Sequence, residues 1–333
     1  MTFGGPVPAV PAELTWRDRA GGWMVRWGLG RYTYKVDPGL YAVGEPDDRA
    51  PVLVTANYKL SFDALRRRLG GRAAWLLALD TRGINVWCAA GKGTFGTDEV
   101  VRRVAAADLP SVVSHGTLVL PQLGAPGVSA PQVRRRSGFR VVWGPVRAED
   151  LPAFLDAGLR ATPEMRRVRF TLRDRLVLVP IEMTAVIGIA LVVVAAQTLL
   201  GGLGPGIFSL SRALPGALQA AAIVLTTLLA GTVVTPLLLP WLPGRMFSVK
   251  GAVAGAVGAA AVLPLLAGGM HPLGLAAAAL LMVAGSSYAA MNFTGSSTFT
   301  SLSGVLREMR ASLPWQVVGV ALALVLWIVR GLV

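Results

Sequence analysis

The sequence predicts an α/β domain with a mostly parallel sheet, followed by an all-α domain of five transmembrane helices. Short apolar runs alternate with helical segments between residues 52 and 158, and long apolar stretches follow residue 175. Hydrophobic residues make up 53% of the 333 residues and charged residues only 15%, so part of the chain is expected to lie in a membrane. We expect an N-terminal domain at 1–159, a basic linker at 160–175 and a transmembrane domain at 176–333.

The first domain is expected to alternate strands with helices. We predict strands at 31–36, 40–43, 52–55, 74–79, 117–120 and 140–143. We predict helices at 61–69 (capped by Ser61), 97–107 and 148–158, and a short helix after Asn85. Parallel sheets bind ligands at the carboxyl ends of their strands, so four loops should meet around one crevice: 55–58, 84–97, 120–128 and 143–146.

The second domain contains five apolar stretches, each long enough to cross about 30 Å of hydrocarbon as a helix. They are expected at 176–200, 217–242, 249–268, 272–291 and 314–332. Arg and Lys are concentrated before the first span, between the second and third, and between the fourth and fifth. The positive-inside rule therefore predicts a multi-pass protein of the inner (cytoplasmic) membrane, with the first domain in the cytoplasm and the C-terminus outside. Residues 1–50 lack the apolar stretch of a signal peptide, which agrees with this orientation.

The composition argues against several functions. The net charge of +14 comes largely from arginines beside apolar stretches, with no nucleic-acid recognition motif, so no nucleic-acid partner is expected. One cysteine and two histidines cannot build a disulfide framework, a usual zinc site or an iron–sulfur cluster. Any low-potential electron that this protein needs must therefore come from a separate protein.

The single cysteine, Cys88, is the candidate functional residue. It follows the apolar strand at 74–79 and a turn, and it lies in the first turn of the helix that Asn85 is expected to cap. The partial positive charge at a helix N-terminus favours the thiolate form. A thiolate is a metal ligand or a nucleophile, whereas an ordinary lone cysteine is a small buried hydrophobic residue.

The same stretch permits two nucleotide-binding interpretations. Residues 91–96 fit the spacing G-x-G-x-x-G, but the dinucleotide motif should follow a strand directly, and here a helical segment intervenes. A phosphate-binding Walker loop would need a glycine where this chain has Val86. Both interpretations are therefore weaker than a role for Cys88.

The run Asn85-Val86-Trp87-Cys88-Ala89-Ala90-Gly91-Lys92-Gly93-Thr94 resembles the cap-helix motif of the corrinoid proteins that methylate mercury in anaerobic microbes (the HgcA family). These are membrane-anchored relatives of the large subunit of the corrinoid iron–sulfur protein. Further similar segments cover both parts of the chain: 54–63, 120–128, 144–148 and 292–296. The resemblance implies that the first domain is a Rossmann-like corrinoid-binding domain.

The resemblance also implies the residues of a cofactor site. Cys88 occupies the position of the lower axial ligand to the corrinoid cobalt, which would require a base-off, cobalamin-type corrinoid. The residues that would contact the cofactor are Thr55, Asn57, Asn85, Val86, Trp87, Cys88, Thr94, Phe95, Thr97, Gln122, Leu123, Gly124, Pro126, Gly127, Gly144 and Pro145.

The function implied by the resemblance is that of a corrinoid-dependent methyltransferase. It would transfer a methyl group from a Cys-ligated methyl-corrinoid to Hg(II), forming methylmercury. The implied partners are a ferredoxin-like protein with two [4Fe-4S] clusters as electron donor, and a methyl-donor protein or methyl-folate. The alternative is a non-enzymatic membrane thiol protein that binds or moves a soft metal ion through Cys88.

Overall fold

The computed structural model describes residues 6–204, 207–297 and 302–330. The chain forms two compact units, Met1–Val168 and Arg169–Val333. The first unit is an α/β domain, and the second is helical with five long apolar helices. The predicted fold class is confirmed. The outer ends of the two predicted domains, at 1–5 and 331–333, lie outside the described residues.

The first unit alternates strands with helices, as expected. Its elements in chain order are α1 (Trp16–Arg26), β1 (Gly39–Val43), β2 (Val52–Ala56), α2 (Lys59–Arg66), β3 (Ala74–Leu79), α3 (Val86–Gly91), α4 (Thr97–Ala106), α5 (Leu109–Val112), β4 (Thr117–Leu120), α6 (Ala130–Ser137), β5 (Arg140–Trp143) and α7 (Leu151–Asp156). Three 3₁₀ turns lie at Gln122–Gly127, Ala148–Asp150 and Glu164–Arg166.

The five strands form one sheet in the order β1-β3-β2-β4-β5. Strand β1 pairs antiparallel with β3, and the other three pairings are parallel. The chain runs from β2 to its neighbour β3 and then crosses to β4 on the other side of β2. The sheet therefore has a topological switch point at the carboxyl ends of β2 and β4, which is where sheets of this type bind ligands.

Alternate residues of each strand pack on opposite faces of the sheet. Val52 and Val54 join the core beneath α4 and α6, whereas Leu53 joins the core that contains Phe62 and Phe154. Side chains of a strand point to the two faces in turn, so apolar residues at every position indicate burial on both sides. This double burial fixes the register that brings the four strand ends to one edge.

The predicted strand at 31–36 is wrong, because the structure has only one isolated bridge there, between Lys35 and Tyr58. Gly28 and Gly30 have φ values of 80° and 66°, and the backbone amide of Tyr34 donates to the carbonyl of Gly30 at 3.0 Å. These glycines turn the chain before it can extend. The preceding helix α1 was not predicted, although Thr15 and Asp18 form a capping box at its start.

Two further helix predictions need correction. Helix α2 begins at Lys59, after Tyr58, so Ser61 lies inside the helix and does not cap it. The predicted helix at 148–158 is a 3₁₀ turn followed by α7. Helix α6 was not predicted, because its short run of arginines lacks apolar periodicity, although a proline at the start of a helix is a usual signal.

The second unit contains the five predicted long helices. Its elements are α8 (Leu172–Gly202), β6 (Leu203–Gly204), β7 (Ile207–Phe208), α9 (Leu210–Leu228), a π-helical segment (Leu229–Val234), α10 (Thr235–Leu237), α11 (Phe247–Leu266), α12 (Pro272–Asn292) and α13 (Leu302–Arg330), with 3₁₀ turns at Ala267–Gly269 and Phe293–Ser296. The apolar stretches long enough to cross a membrane are Leu172–Leu199, Leu210–Leu237, Phe247–Gly269, Pro272–Gly295 and Ser303–Arg330.

The second and fifth spans begin earlier than predicted, at Leu210 and Ser303 instead of 217 and 314. Pro215 and Pro314 lie inside these helices and do not end them. Backbone hydrogen bonds are internal to a helix, so α13 also continues through the polar residues that precede its apolar part. Hydropathy locates the apolar part of a span but not the whole helix.

Helices α11 and α12 are in close contact through glycines. A Cβ at Gly251 would lie 2.5 Å from the carbonyl oxygen of Ser286, and one at Gly255 would lie 2.6 Å from that of Met282. Small residues spaced four apart allow helix backbones to approach in this way.

Candidate functional site

Helix α3 presents Cys88 to solvent. The side-chain oxygen of Asn85 accepts a hydrogen bond from the backbone amide of Cys88 at 2.9 Å, which confirms Asn85 as the N-cap. The following residues, Ala89 and Ala90, are buried, whereas Cys88 is exposed. The inner face of the helix therefore packs on the domain, and the thiol faces away from it.

The surface around Cys88 is open. Asn85 lies one turn before Cys88, and Gly91 lies one turn after it, on the same face of α3. Lys92 and Gly93 continue the exposed surface, and Gly93 has φ +78°. No atom lies within 4 Å of a Cβ built at Gly91 or Gly93. The exposed side of α3 is therefore open at these two glycines.

The turn that leads into α3 is held by Asn57, at the carboxyl end of β2. The side-chain oxygen of Asn57 accepts hydrogen bonds from the backbone amide of Thr81 at 3.1 Å, the hydroxyl of Thr81 at 2.9 Å and the backbone amide of Gly83 at 3.0 Å. Asn57 is only 1% exposed. Its oxygen therefore positions the turn that leads into α3.

Glu99 of α4 holds the same turn from the other side. Its carboxylate accepts a hydrogen bond from the backbone amide of Asp80 at 2.8 Å and forms ion pairs with Arg102 and Arg103. Glu99 is buried, and the two arginines compensate its charge. The turn between β3 and α3 is thus fixed by β2 and by α4.

The underside of α3 packs against the 3₁₀ turn Gln122–Gly127, which follows β4. A Cβ at Gly127 would lie 2.2 Å from the carbonyl oxygen of Phe95 and 3.0 Å from the Cα of Ala90. A Cβ at Gly124 would lie 2.5 Å from the ring of Phe95, which is fully buried. Only glycine permits this close approach. Helix α3 also contacts β2, so it covers the switch point of the sheet.

A charge cluster holds α1 against α2, directly after the end of β2. Lys59 and Arg66 each form ion pairs with both Asp18 and Asp63. Burial raises the pKa of Asp18, but hydrogen bonds from Lys59, Thr15 and Arg66 lower it by more, so the pKa of this carboxyl lies well below its usual range. The cluster ties the N-terminal helix to the sheet edge that carries the site.

The predicted cofactor residues fall into two groups by exposure. Those at least partly exposed are Asn85, Val86, Trp87, Cys88, Thr94, Thr97, Gln122, Leu123, Pro126 and Gly127. Those buried are Thr55, Asn57, Phe95, Gly124, Gly144 and Pro145. The parallel pairing brings the loops that carry both groups to one edge of the sheet.

Several of these side chains have partners within the domain. The hydroxyl of Thr97 accepts a hydrogen bond from the backbone amide of Ser129 at 2.8 Å, and the side-chain oxygen of Gln122 accepts one from Arg166 at 2.7 Å. The hydroxyl of Thr94 donates weakly to the carbonyl of Ala89, at 3.4 Å. These contacts hold the segments around α3 together, so the residues shape the site even where they do not face it.

Sequence reasoning did not identify Thr81 or Glu99 as residues of this site. A threonine in the turn Asp80-Thr81-Arg82-Gly83 was one available signal, because such residues bond to nearby backbone groups. Glu99 lies in the first turn of α4, where an acidic residue favours the start of its own helix. Its bond to Asp80 joins residues 19 apart in the sequence and depends on the tertiary fold.

Within the part of the chain that the structure describes, no three or more His, Cys, Asp or Glu side chains are grouped to hold a metal ion.

The α/β unit matches a known family. Residues 30–155 match the model of the CO dehydrogenase/acetyl-CoA synthase delta subunit (CdhD) family. The matched region runs from before β1 almost to the end of α7, and it includes Cys88 and every loop at the carboxyl edge of the sheet. It ends before the helical unit.

Individual relatives are similar over stretches of comparable length. The gamma subunit of the acetyl-CoA decarbonylase/synthase complex of Methanopyrus kandleri is 33% identical over 128 residues, which is 38% of this chain and 27% of the relative. Gamma subunit 2 of Methanosarcina thermophila is 36% identical over 125 residues, 36% of this chain and 26% of the relative. The gamma subunit of Archaeoglobus fulgidus is 30% identical over 128 residues, with 38% and 27% covered. The chain thus spans about a quarter of the length of these relatives.

Proposed function

We propose that the α/β unit binds a cobalamin-type corrinoid in its base-off form, with the Cys88 thiolate as the lower axial ligand to cobalt, and that the protein transfers a methyl group to Hg(II). The observation that carries the proposal is an exposed cysteine on a capped helix, inside the region that matches the CdhD family. The names of the relatives add support, because decarbonylation of an acetyl group leaves a methyl group to be transferred.

The residues present fit a planar macrocycle. Cys88 faces outward, and the open surface at Gly91 and Gly93 lets a flat ring approach the helix without a clash. Asn85 and Trp87 lie beside Cys88 on the exposed side of the helix, and Gln122, Leu123 and Pro126 border its other edge. These residues would hold the ring and its nucleotide tail.

The chain's own contribution is a positioned sulfur ligand. Asn85 fixes the first turn of α3, and Asn57 and Glu99 fix the turn before it, so the direction of the Cys88 side chain is set before any ligand binds. Preorganisation of this kind lowers the cost of binding.

Hg(II) is an electrophile, so it must receive the methyl group together with the bonding electron pair. When bound, the corrinoid supplies the metal that carries the methyl group. Cys88 would hold this metal through its sulfur, and electron donation from a thiolate would favour loss of the methyl group to Hg(II) together with the bonding electron pair. A weaker ligand would favour the usual transfer of a methyl cation.

The proposal also requires partners. The chain has one cysteine and cannot hold an iron–sulfur cluster, so electrons must come from a separate protein, for which we propose a ferredoxin-like protein with two [4Fe-4S] clusters. A methyl-donor protein or methyl-folate would supply the methyl group. We propose that the α/β unit lies on the cytoplasmic side of the inner membrane and the C-terminus outside, because Arg and Lys are concentrated in the corresponding loops.

The test is single-turnover methyl transfer by the full-length protein, purified without oxygen and loaded with methylated cobalamin. We expect methylmercury to form from added Hg(II) without reductant, with about one product per loaded chain. Lys92→Ala should retain most of the yield, and Cys88→Ala should fall to the rate of free methylcobalamin at the same concentration. Equal rates for the wild type and Cys88→Ala would refute the proposal.

The same preparation tests the alternative of a soft-metal thiol protein. A protein that binds Hg(II) one-to-one through Cys88 but takes up no cobalamin would support the alternative. The structure favours it less, since a lone thiolate without other grouped ligands among the described residues makes a poor carrier site.

A further inference from the structure

Helix α1 carries large apolar side chains on its outward face. The inward face, at Gly21, Gly22 and Val25, is buried against the α/β unit. Residues at i, i+4, i+7 and i+11 share one side of a helix. On the outward side of α1 and its C-cap they form a line that we call the Trp stripe: Trp16, Ala20, Trp23 and Trp27. Trp16 is 73% exposed and Trp23 is 66% exposed.

The apolar surface is continuous along the helix and past its end. The rings of Trp23 and Trp27 lie with their centroids 5.9 Å apart. Met24 is exposed beside them, and the backbone amide of Leu29 donates to the carbonyl of Met24 at 3.1 Å, which places the exposed Leu29 at the end of the helix. A contiguous exposed apolar surface of this kind indicates an interaction site.

Arginines lie along both edges of the Trp stripe. Arg17 lies on one edge, with its guanidinium carbon 5.5 Å from the centre of the Trp16 ring, and Arg19 and Arg26 lie on the other edge. The helix contains one acidic residue, Asp18, and its carboxylate belongs to the buried charge cluster on the inward side. The outward face of α1 therefore combines indole rings with positive charges, and it complements an apolar surface with an anionic border.

We propose that the Trp stripe docks the α/β unit on an anionic lipid surface, with the indoles in the interfacial layer and Arg17 and Arg19 at the lipid phosphates. Trp is enriched at the boundary between membrane and water, because its ring is apolar and its N–H is polar. Arginine stems lie along apolar surface while their head groups bind phosphate. An apolar strip with basic edges is the pattern of a helix that lies in a membrane interface.

The position of the spans in the chain favours lipid over a protein as the occupant. The α/β unit ends at Val168 and the first apolar span begins at Leu172, so only residues 169, 170 and 171 separate them. A bilayer that holds this span is therefore always within reach of the unit, whereas an acidic protein would have to be recruited. The inference rests on the apolar spans and is independent of the corrinoid proposal.

The test uses the full-length protein in nanodiscs, with a fluorescent label in the Trp stripe. Ala20 is exposed in the middle of the stripe, so Ala20→Cys in a Cys88→Ser background carries an NBD label there. Lipids brominated on their acyl chains quench this label only when it enters the bilayer. A label at Gln132→Cys in the same background, on the exposed surface of α6, is the control and should stay unquenched.

The nanodiscs contain phosphatidylcholine alone, or phosphatidylcholine and phosphatidylglycerol in equal parts. We expect the label at position 20 to be quenched strongly with phosphatidylglycerol and weakly without it. The ratio of docked to undocked protein should rise about tenfold to thirtyfold with the anionic lipid, the effect of two arginines near such a surface. Added salt should reduce this difference, because it screens exposed charges.

Paired substitutions separate the aromatic contribution from the charge. Trp16→Ser combined with Trp23→Ser should lower the docked-to-undocked ratio about tenfold or more in both nanodiscs, because two apolar side chains no longer leave water. Both residues are largely exposed, so the fold should persist, and circular dichroism checks this. Arg17→Gln combined with Arg19→Gln should lower the ratio about tenfold with phosphatidylglycerol and little without it.

The matched control removes the same charge from α6. Arg134→Gln combined with Arg135→Gln changes two exposed arginines outside the Trp stripe and should leave the quenching at position 20 unchanged. A label at position 20 that stays unquenched in both nanodiscs would overturn the proposal and indicate a protein partner for this face. Quenching that is equal with and without phosphatidylglycerol, or that falls as much in the α6 control as in the Arg17 and Arg19 variant, would also overturn it.

Discussion

Replacing Asn57 with alanine tests whether this residue positions the turn that leads into α3. The change removes the oxygen that accepts hydrogen bonds from two backbone amides and one hydroxyl, all contributed by Thr81 and Gly83. Both donor residues are buried, so water does not readily replace the lost acceptor. The amide of Thr81 also donates to the carbonyl of Leu79 at 3.0 Å, and its hydroxyl donates to the carbonyl of Ile84 at 2.7 Å. The amide of Gly83 is therefore the donor that loses its acceptor, which costs about 1–3 kcal/mol.

The upper end of this range is a limit, because a water molecule entering the vacated space would satisfy part of the loss. We therefore expect Asn57→Ala to lower the free energy of unfolding by about 2 kcal/mol, or to lower the Tm by about 4–8 °C for a domain of this size. Urea unfolding of residues 1–168 gives the first quantity. Hydrogen exchange of the full chain should show faster exchange at the amides of Thr81 and Gly83.

Gln132→Ala is the matched control, because Gln132 is exposed on α6, and it should change the free energy of unfolding by less than about 0.5 kcal/mol. The reasoning would be refuted if Asn57→Ala were as stable as this control. It would also be refuted if Asn57→Ala lost stability while the amides of Thr81 and Gly83 kept their protection.

Three further predictions concern the same domain. Asn85→Ala should lower the free energy of unfolding in urea by about 1 kcal/mol and speed hydrogen exchange at the backbone amide of Cys88. Unchanged exchange at that amide would show that the N-cap is dispensable. Gly127→Ala should lower the free energy of unfolding by about 1–3 kcal/mol, because the added Cβ would lie 2.2 Å from the backbone of Phe95. Gly91→Ala is the control and should leave the free energy of unfolding unchanged, because its Cβ has no neighbour within 4 Å. Equal effects of the two changes would contradict the packing of Gly127. The pKa of Asp18 in the folded protein lies below its ordinary value, so its contribution to the free energy of unfolding is present above about pH 4 and is lost as the pH falls toward the folded pKa. Asp18→Asn should reduce this loss of stability at acid pH, measured by urea unfolding. An unchanged acid pH dependence would exclude the charge cluster as its cause.

Features that depend on local signals could be predicted from the sequence. The five spans follow from the length of their apolar stretches, and the cap at Asn85 follows from one residue type at one position. The buried strands predicted at 52–55 and 74–79 were found because apolar residues fill every position except Thr55. Each of these signals lies within one element and needs no knowledge of its neighbours.

Features that depend on distant contacts could not be predicted. The role of Asn57 rests on partners 24 and 26 residues away, and the sequence alone suggested a ligand contact instead. The glycines at 124 and 127 are required by the position of Phe95, which only the packed structure reveals. The strand predicted at 31–36 was wrong for a local reason, because Gly28 and Gly30 turn the chain just before this run.

The domain boundary predicted at residue 159 stays a prediction. Ala161 and Met165 pack against the core of the α/β unit, and the backbone amide of Val146 donates to the carbonyl of Met165 at 2.9 Å. These contacts favour cutting the chain after residue 168, where the compact unit ends, in any study of the isolated domain.

The most direct test of the central claim is cobalt X-ray absorption on full-length protein loaded with cobalamin, compared with Cys88→Ala and Cys88→His. We predict a sulfur neighbour to cobalt in the wild type, no sulfur neighbour in Cys88→Ala, and a nitrogen neighbour with retained cofactor but depressed methylation in Cys88→His. A wild-type spectrum without sulfur, or one that Cys88→Ala leaves unchanged, would contradict the assignment of Cys88 as the cobalt ligand.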